Sequence, residues 1–146
     1  MPNFDLVLRN CNLINENSIS QVDIAIKDKR IEKISSTISE KANKEIDVNG
    51  KNVAPGVIDD QVHFREPGLT KKGEIKTESL AALYGGITST MDMPNVSPAS
   101  TTLDLLEERF QLAKEKSWTN YSFYLGATPD NICLLYTSPS PRDKSS

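Results

Sequence analysis

The feature that most constrains the fold is a change in the hydrophobic pattern at Pro55 and Gly56. Beyond this point, short apolar runs alternate with segments of helical periodicity, in the order strand, helix, strand, helix, strand. This order is typical of a parallel sheet whose strands are joined by crossover helices. The pattern therefore predicts an α/β unit over residues 55–132.

The chain before this point has the pattern of half-buried strands. Residues 5–14 are rich in apolar side chains, with an interruption at Asn10, and residues 22–26 alternate strictly. Asn49-Gly50 predicts a β-hairpin turn, because this pair readily adopts the positive φ angles that a tight hairpin needs. We therefore predict a small β-rich unit, a meander or part of a β-sandwich, over residues 1–54.

Two helices are predicted in the second unit. Residues 72–84 have the first helical pattern, which ends at Gly85-Gly86 because glycine commonly follows the end of a helix. Thr101 or Thr102 can cap the second helix. The apolar side chains expected to face the core are Ile75, Leu80 and Leu83 in the first helix, and Leu103, Leu106, Phe110 and Ala113 in the second. The strands around these helices are predicted at residues 57–63, 87–93 and 120–125.

The composition argues against several kinds of partner. The formal net charge of -3 lacks the basic bias of a nucleic-acid surface. No apolar run approaches the roughly 18 residues that a membrane helix needs, and no signal-peptide layout is present. Cys11 and Cys133 are far apart and lack ligand-like spacing, which fits a reduced setting better than a disulfide scaffold. We therefore expect a cytoplasmic protein that binds neither nucleic acid nor membrane.

The last segment, residues 133–146, continues no helix or strand period. Its serine- and proline-rich composition would suggest a disordered tail with phosphorylation sites. The run CLLYTSPSPRD also resembles the in-frame translation of a sequencing-library adaptor. We therefore expect that the native sequence ends near Ile132 and that residues 133–146 are a non-native, adaptor-like tail.

Polar side chains follow the first two predicted strands of the α/β unit. Gln61, His63 and Arg65 lie at the end of the first strand, and Asn95 follows the second. In parallel α/β folds, polar residues just past the carboxyl ends of the strands usually build the site. Alternation along a strand places residues 61 and 63 on one face, where both side chains could hold one metal ion together with ligands from other strands.

Each of these residues also has an ordinary structural interpretation. A lone histidine such as His63 is more often a surface or satisfied core residue than a ligand. Arg65 suits a clamp on a substrate carboxylate, which a guanidinium matches with two parallel hydrogen bonds, but it could be a solvated charge. Asn95 could donate to the same carboxylate or simply occupy a turn. Adjacent strand residues face opposite ways, so at most one of Asp59 and Asp60 points inward.

Two segments resemble the opening of the amidohydrolase barrel. They are PGVIDDQVHFREPG, residues 55–68, and GGITSTMDMPN, residues 85–95. Together they are similar to class I dihydroorotases, and the similarity extends from the β-rich N-terminus to about Ile132. Arg65 and Asn95 favour dihydroorotase over its relatives allantoinase and dihydropyrimidinase, whose counterparts usually differ at these positions.

This resemblance implies both a fold and an activity. The fold is a (β/α)8 TIM barrel preceded by a small β-sandwich domain that is built from both chain ends. The activity is the reversible hydrolysis of dihydroorotate to N-carbamoyl-L-aspartate in pyrimidine biosynthesis, with one or two zinc ions and with a homo-oligomer as an option. By position, His63 would be a zinc ligand, and Arg65 and Asn95 would hold the carboxylate of this small-molecule substrate.

One departure from the family pattern lies at Gln61. The family usually has His-x-His at this point, and a neutral amide oxygen is a poor zinc ligand beside imidazole. The departure leaves open a single metal ion, weak or water-mediated binding by Gln61, and a non-catalytic dihydroorotase-like scaffold. Another cyclic amidase, allantoinase or dihydropyrimidinase, is the further alternative. Because a TIM barrel needs roughly 250 residues, we expect a truncated barrel here that lacks the later ligands and the catalytic aspartate and is inactive and poorly folded by itself.

Overall fold

A computed structural model of the chain describes residues 2–133. It divides into two compact units, of which the first ends at Pro55 and the second begins at Gly56. Within the described residues, no helix is long and apolar enough to cross a bilayer. The expected adaptor-like tail lies outside the described residues, except for Cys133.

The first unit is a five-stranded sheet. Its strands are β1 (Phe4–Asn15), β2 (Ser18–Lys27), β3 (Arg30–Ser35), β4 (Ala42–Asp47) and β5 (Asn52–Val53). The first three form an antiparallel meander, whereas β4 and β5 both pair in parallel with β1. The strand order is therefore β3-β2-β1-β4, with β5 also on β1. The predicted β-rich unit is confirmed as a meander with two added parallel strands.

The predicted hairpin at Asn49-Gly50 is wrong, although the turn itself forms. Both residues have the expected positive φ angles, 54° and 71°. However, the turn joins β4 to β5, which do not pair with each other but lie one after the other along β1. The physical reason is that β1 is 12 residues long and offers partners to both short strands. The preference of Asn-Gly for positive φ fixed the turn but not the direction of the chain after it.

The interruption at Asn10 in the sequence pattern corresponds to a β-bulge. The register between β1 and β2 shifts between Leu8 and Cys11, and Asn10 has a φ of 56°. The buried Asp23 side chain faces this bulge and accepts hydrogen bonds from the Asn10 and Ile38 backbone N–H groups, each at 3.1 Å. Burial acts to raise the pKa of Asp23, but these bonds and an ion pair with Arg9 outweigh it and hold the pKa below its usual range.

The second unit contains the predicted strand–helix–strand–helix–strand order. Its elements are β6 (Val57–Val62), α1 (Ile75–Tyr84), β7 (Ile87–Asp92), α2 (Leu103–Lys116) and β8 (Asn120–Phe123). The three strands form a parallel sheet in the order β6-β7-β8, so the α/β class is confirmed. The predicted barrel is not seen in the described residues, which form only this three-stranded parallel sheet in the second unit.

The helices pack on the sheet around a small aromatic core. Phe64, Ile75, Ala113 and Phe123 are its buried members, and the Phe110 ring meets Phe123 edge-on with ring centroids 5.0 Å apart. The apolar faces predicted for α1 and α2 are only partly right. Leu83 and Leu103 are 39% and 58% exposed, whereas Ser79 and Arg109 are buried instead.

The helix beginnings show how side chains set the boundaries. The side chain of Thr102 accepts a hydrogen bond from the Leu105 N–H at 3.3 Å, which selects Thr102 over Thr101 as the cap of α2. The first helix begins at Ile75, later than the pattern suggested. There the Glu66 carboxylate accepts the Ile75 N–H at 3.0 Å and also pairs with Lys116 of α2.

The loops that follow β6 and β7 are locked together. The Ser97 N–H donates to the Pro67 carbonyl at 3.1 Å. Gly68 has a φ of 77°, and a Cβ at this position would overlap the Ser97 carbonyl oxygen. Glycine is thus required at residue 68 both for its backbone angle and for the close approach of the second loop.

We expect Gly68→Ala to destabilise the protein more than Gly86→Ala. Both glycines have positive φ, but a Cβ at Gly86 would meet nothing within 4 Å. Gly86→Ala should therefore cost only about 1 kcal/mol of unfolding free energy for the left-handed backbone. Gly68→Ala should cost about 2 kcal/mol more, because the overlap with the Ser97 carbonyl adds to that strain. Denaturant unfolding of the two variants measures the difference, and equal losses would contradict the locked-loop interpretation.

Candidate functional site

The carboxyl ends of the three parallel strands share one cleft. The cleft has a volume of about 360 Å³ and is lined by residues that follow or end the strands: Asp60, Gln61, Met93, Pro94, Tyr124, Leu125, Gly126 and Ala127. The polar residues that the sequence analysis proposed for a functional site follow the strands at this same edge of the sheet. The strand ends are tied together by backbone bonds, since the Met93 N–H donates to the Val62 carbonyl and the Tyr124 N–H to the Asp92 carbonyl, each at 3.0 Å.

His63 and Asn95 contact each other at this edge. Both side chains are exposed, and the His63 Nδ1 atom lies 2.9 Å from the Asn95 Oδ1 atom. The residues are 32 positions apart in the sequence. The structure thus brings the imidazole beside one of the two groups that were predicted to hold a substrate carboxylate.

Arg65 lies two residues after His63 in an unusual backbone conformation. Its φ is 66°, which costs an ordinary L-residue roughly 1–2 kcal/mol. The carbonyl of Arg65 accepts the Leu69 N–H at 3.1 Å, so the strained turn is held in place. Within residues 2–133, no hydrogen bond or ion pair engages its half-buried guanidinium, which is therefore available to an anion.

Gln61 and His63 lie on either side of the end of β6, which is at Val62. The register between β6 and β7 shifts between Asp59 and Val62, and β6 ends before His63. As a result, the adjacent residues Asp60 and Gln61 both line the cleft, whereas His63 contacts Asn95. The structure thus places Asp60 and Gln61 along the cleft and His63 beside Asn95, beyond the end of β6.

The donor chemistry fits one part of a metal site rather than a whole one. An imidazole is a good zinc ligand, whereas the neutral amide of Gln61 is a weak one. Among the described residues there is no cluster of three or more His, Cys, Asp or Glu side chains that could hold a metal ion.

A buried ion pair lies directly under the edge. One carboxylate oxygen of Asp92 accepts the Phe64 N–H at 3.2 Å, next to His63, and the other pairs with the Arg109 guanidinium. Arg109 also donates to the Met93 carbonyl, two residues before Asn95, at 3.1 Å. This pair therefore fixes the backbone on both sides of the His63–Asn95 contact.

Asp92 and Arg109 are almost completely removed from water, with 2% and 1% of their side chains exposed. Burial raises the pKa of the Asp92 carboxyl and lowers the pKa of Arg109, although the attraction between the two charges opposes both shifts. Arg109 gains further partners in the Ser100 hydroxyl, at 3.1 Å, and the Phe123 ring, whose centroid is 4.3 Å away.

The sequence interpretation missed Arg109, although a signal for it exists. Arg109 lies three residues after Leu106 and four before Ala113, which places it inside the apolar stripe of α2. A charged residue within such a stripe must find a buried partner, because an unpaired buried charge is too costly. Asp92, at the end of β7, is the carboxylate that meets this need.

The fold and the edge geometry define a class of protein. A parallel sheet with crossover helices carries a cleft at the carboxyl ends of its strands, which is where α/β proteins place their sites. The chain belongs to the Dihydro-orotase-like family, whose model matches residues 50–128, more than half of the chain.

Several curated relatives carry different names within this family. An L-hydantoinase of Paenarthrobacter aurescens is 35% identical over 131 residues, which are 88% of this chain and 29% of that protein. A dihydroorotase of Fusobacterium nucleatum is 38% identical over 112 residues, 77% of this chain and 26% of that protein. An allantoinase of Desulfitobacterium hafniense is 36% identical over 136 residues, 92% of this chain and 30% of that protein.

A solved structure extends this likeness to the fold. L-hydantoinase (dihydropyrimidinase) from Arthrobacter aurescens superposes with a TM-score of 0.86 at 34% identity, over 90% of this chain and 30% of that one. The sheets of this chain therefore resemble those of the N-terminal part of a cyclic amidohydrolase. The chain spans less than a third of the length of the relatives that it matches.

We expect Arg109→Met to destabilise the second unit strongly. The variant leaves the Asp92 carboxylate buried without its counter-ion, which typically costs about 3–5 kcal/mol of unfolding free energy at neutral pH. The difference from the wild type should shrink as the pH falls. A buried carboxyl whose folded-state pKa is raised favours the folded state once it is protonated, and this stabilisation is lost as the pH rises through that pKa. Denaturant unfolding over a range of pH measures both effects.

The matched control is Asp92→Asn in the Arg109→Met background. Asparagine keeps an oxygen acceptor for the Phe64 N–H and removes the unpaired charge. The double variant should recover most of the lost stability and lose the extra pH dependence. A double variant no more stable than Arg109→Met would show that the charge on Asp92 is not the cause.

Proposed function

We propose that the full-length protein is a dihydroorotase, which reversibly hydrolyses dihydroorotate to N-carbamoyl-L-aspartate in pyrimidine biosynthesis. The observation that carries this proposal is the grouping of an imidazole, a carboxamide and an uncommitted guanidinium after two neighbouring parallel strands. Family membership supports a cyclic amidohydrolase. The choice of substrate within the family depends on Arg65 and Asn95.

The substrate preference follows from charge. Dihydroorotate carries a carboxylate on its ring, whereas the hydantoin and allantoin rings carry none. A guanidinium binds a carboxylate through two parallel hydrogen bonds, and a carboxamide N–H can add a third. Arg65, which has no anionic partner within the described residues, and Asn95 supply these two groups in this chain. The pair favours an acidic ring substrate over a neutral one.

Zinc is the metal that we propose for the full-length protein. His63 would be one ligand, and Gln61 would at most add a weak amide oxygen or a contact through water. A structural or catalytic zinc site takes three or four protein ligands, so the others would have to come from parts of the protein outside residues 2–133. When bound, zinc makes its water acidic enough to be ionised near neutral pH and polarises the amide carbonyl.

The exposed apolar surfaces support a larger fold of the predicted kind. Ile46, Leu8, Ile24 and Ile34 are successive cross-strand partners and form an apolar row across four strands of the first sheet. Ile34 and Ile46, at the two ends of this row, are 47% and 38% exposed, whereas Ile24 between them is buried. A second sheet covering the row would complete a β-sandwich, and further strands beside β6 and β8 would complete a (β/α)8 barrel.

Gln61 is the observation that favours a second candidate, a non-catalytic scaffold. A neutral amide where the family usually has histidine weakens any metal centre at this edge. In that case the cleft and the loops would be retained for structural reasons while turnover would be lost. The two candidates differ in activity and in metal content, so both can be measured in one set of experiments.

We expect the full-length protein with added zinc to hydrolyse dihydroorotate in preference to hydantoin and allantoin. Arg65→Met should raise the KM for dihydroorotate at least tenfold, since a hydrogen bond to a charged group contributes about 1.5–3 kcal/mol. The matched control, Arg30→Met, removes an exposed arginine of the first unit and should leave the KM unchanged. The 146-residue chain alone should show no turnover.

Each contrary outcome identifies an alternative. Preference for hydantoin or allantoin, with no effect of Arg65→Met, would indicate another cyclic amidase. Absence of turnover on all three rings, together with absence of bound zinc in the purified protein, would indicate the scaffold. Turnover by the 146-residue chain itself would overturn the expectation that the missing ligands are essential.

A further inference from the structure

We propose that Asn95 is a positioning residue that sets the tautomer of His63, so that the imidazole presents its Nε2 lone pair at the edge of the sheet. The geometry behind this proposal is the 2.9 Å contact between His63 Nδ1 and Asn95 Oδ1. The proposal assigns Asn95 a role toward the protein's own imidazole, in addition to its proposed role toward a substrate carboxylate.

The chemistry of the two atoms determines the position of the proton. An amide oxygen can only accept a hydrogen bond, so the ring nitrogen that faces it must donate. Nδ1 of a neutral His63 therefore carries the proton, and Nε2 carries the lone pair. Among residues 2–133 the structure records no hydrogen bond to Nε2, which leaves this nitrogen free for a cation.

The arrangement matches what metal-binding histidines need. A histidine that binds a metal through one ring nitrogen usually donates from the other to an oxygen, which fixes the ring orientation and raises its basicity. Only this last step, from a fixed tautomer to metal binding, rests on the function proposed above. The tautomer itself follows from the contact and can be measured without metal or substrate.

The backbone is anchored next to both His63 and Asn95. For this reason the two side chains can keep one geometry although they are exposed. The Phe64 N–H donates to the buried Asp92 carboxylate, immediately after His63. On the other loop, the Pro94 carbonyl accepts the N–H groups of Val96 and Ser100, at 2.9 and 3.1 Å. The contact therefore joins two anchored segments, and little additional ordering is required when it forms.

The carboxamide of Asn95 can serve two partners at once. Its Oδ1 atom is engaged by His63, whereas within the described part of the chain no hydrogen bond engages its Nδ2 group. The free N–H bonds can then donate to the carboxylate of a ligand held by Arg65. In this arrangement one side chain connects the orientation of the imidazole to the recognition of an acid group.

The test is nitrogen NMR of the imidazole in the ¹⁵N-labelled chain. His63 is the only histidine, so its two ring nitrogens give unambiguous long-range proton–nitrogen correlations. The shifts of the two nitrogens at alkaline pH report which one carries the proton. We expect the Nδ1–H form in the wild type, whereas free histidine in water favours the Nε2–H form.

Three variants separate the role of the acceptor from other effects. Asn95→Leu removes the oxygen and should shift His63 toward the Nε2–H form. Asn95→Asp keeps an oxygen acceptor at the same place and should retain the Nδ1–H form. Asn43→Leu removes an exposed carboxamide of the first unit that bonds Asp5, and it should leave the His63 nitrogens unchanged.

Titration of the full-length protein with Zn²⁺ alone tests the step to metal binding, because that protein would supply the remaining ligands. The apparent dissociation constant should be roughly tenfold weaker in Asn95→Leu than in the wild type. Binding of equal strength in the two proteins would overturn that step.

The remaining outcomes distinguish this inference from the proposed function. A wild-type Nε2–H form, or a random-coil spectrum of the wild-type chain, would overturn the inference whatever the enzyme does. An Nδ1–H form that Asn95→Leu abolishes would support it even if the full-length protein failed to hydrolyse dihydroorotate.

Discussion

The buried ion pair between Asp92 and Arg109 is the interaction on which the rest of the second unit depends. Two charges removed from water stabilise a fold only when each finds partners, and these charges do: the Phe64 N–H, the Met93 carbonyl and the Ser100 hydroxyl surround them. The pair joins the end of β7 to α2 and to the segment that follows β6. It gives the edge of the sheet one defined geometry rather than simply adding stability.

That geometry determines which side chains meet at the carboxyl edge of the parallel sheet. His63 and Asn95 are exposed, yet each lies within two residues of a backbone group that the ion pair binds, so an imidazole and a carboxamide meet in a fixed orientation. Arg65 adds an uncommitted positive charge from a strained turn of the same loop. The relatives of this chain bear the names of enzymes for three different rings. The proposal of a ring substrate that carries a carboxylate rests on the charge of Arg65.

Local patterns in the sequence predicted most of the elements and fewer of their contacts. The interruption at Asn10 marked a real bulge, and Thr102 capped α2 as its side chain allows. The Asn49-Gly50 turn formed, but its strands paired with β1 instead of with each other. Near Gln61, the register of β6 with β7 shifts, which the hydrophobic pattern of β6 did not indicate. In each case the local preference was correct, and a partner far away in the sequence decided the arrangement.

The sequence by itself determined the order of strands and helices, the polar residues at the strand ends and the resemblance to a family, because these depend on periodicity and on short motifs. Only the tertiary structure decided that His63 meets Asn95 and that Arg109 is buried against Asp92. These partners are 32 and 17 residues apart, and their contact depends on the register of parallel strands and on the packing of α2. Periodicity reports which face of an element is buried, but it does not report which distant residue lies opposite.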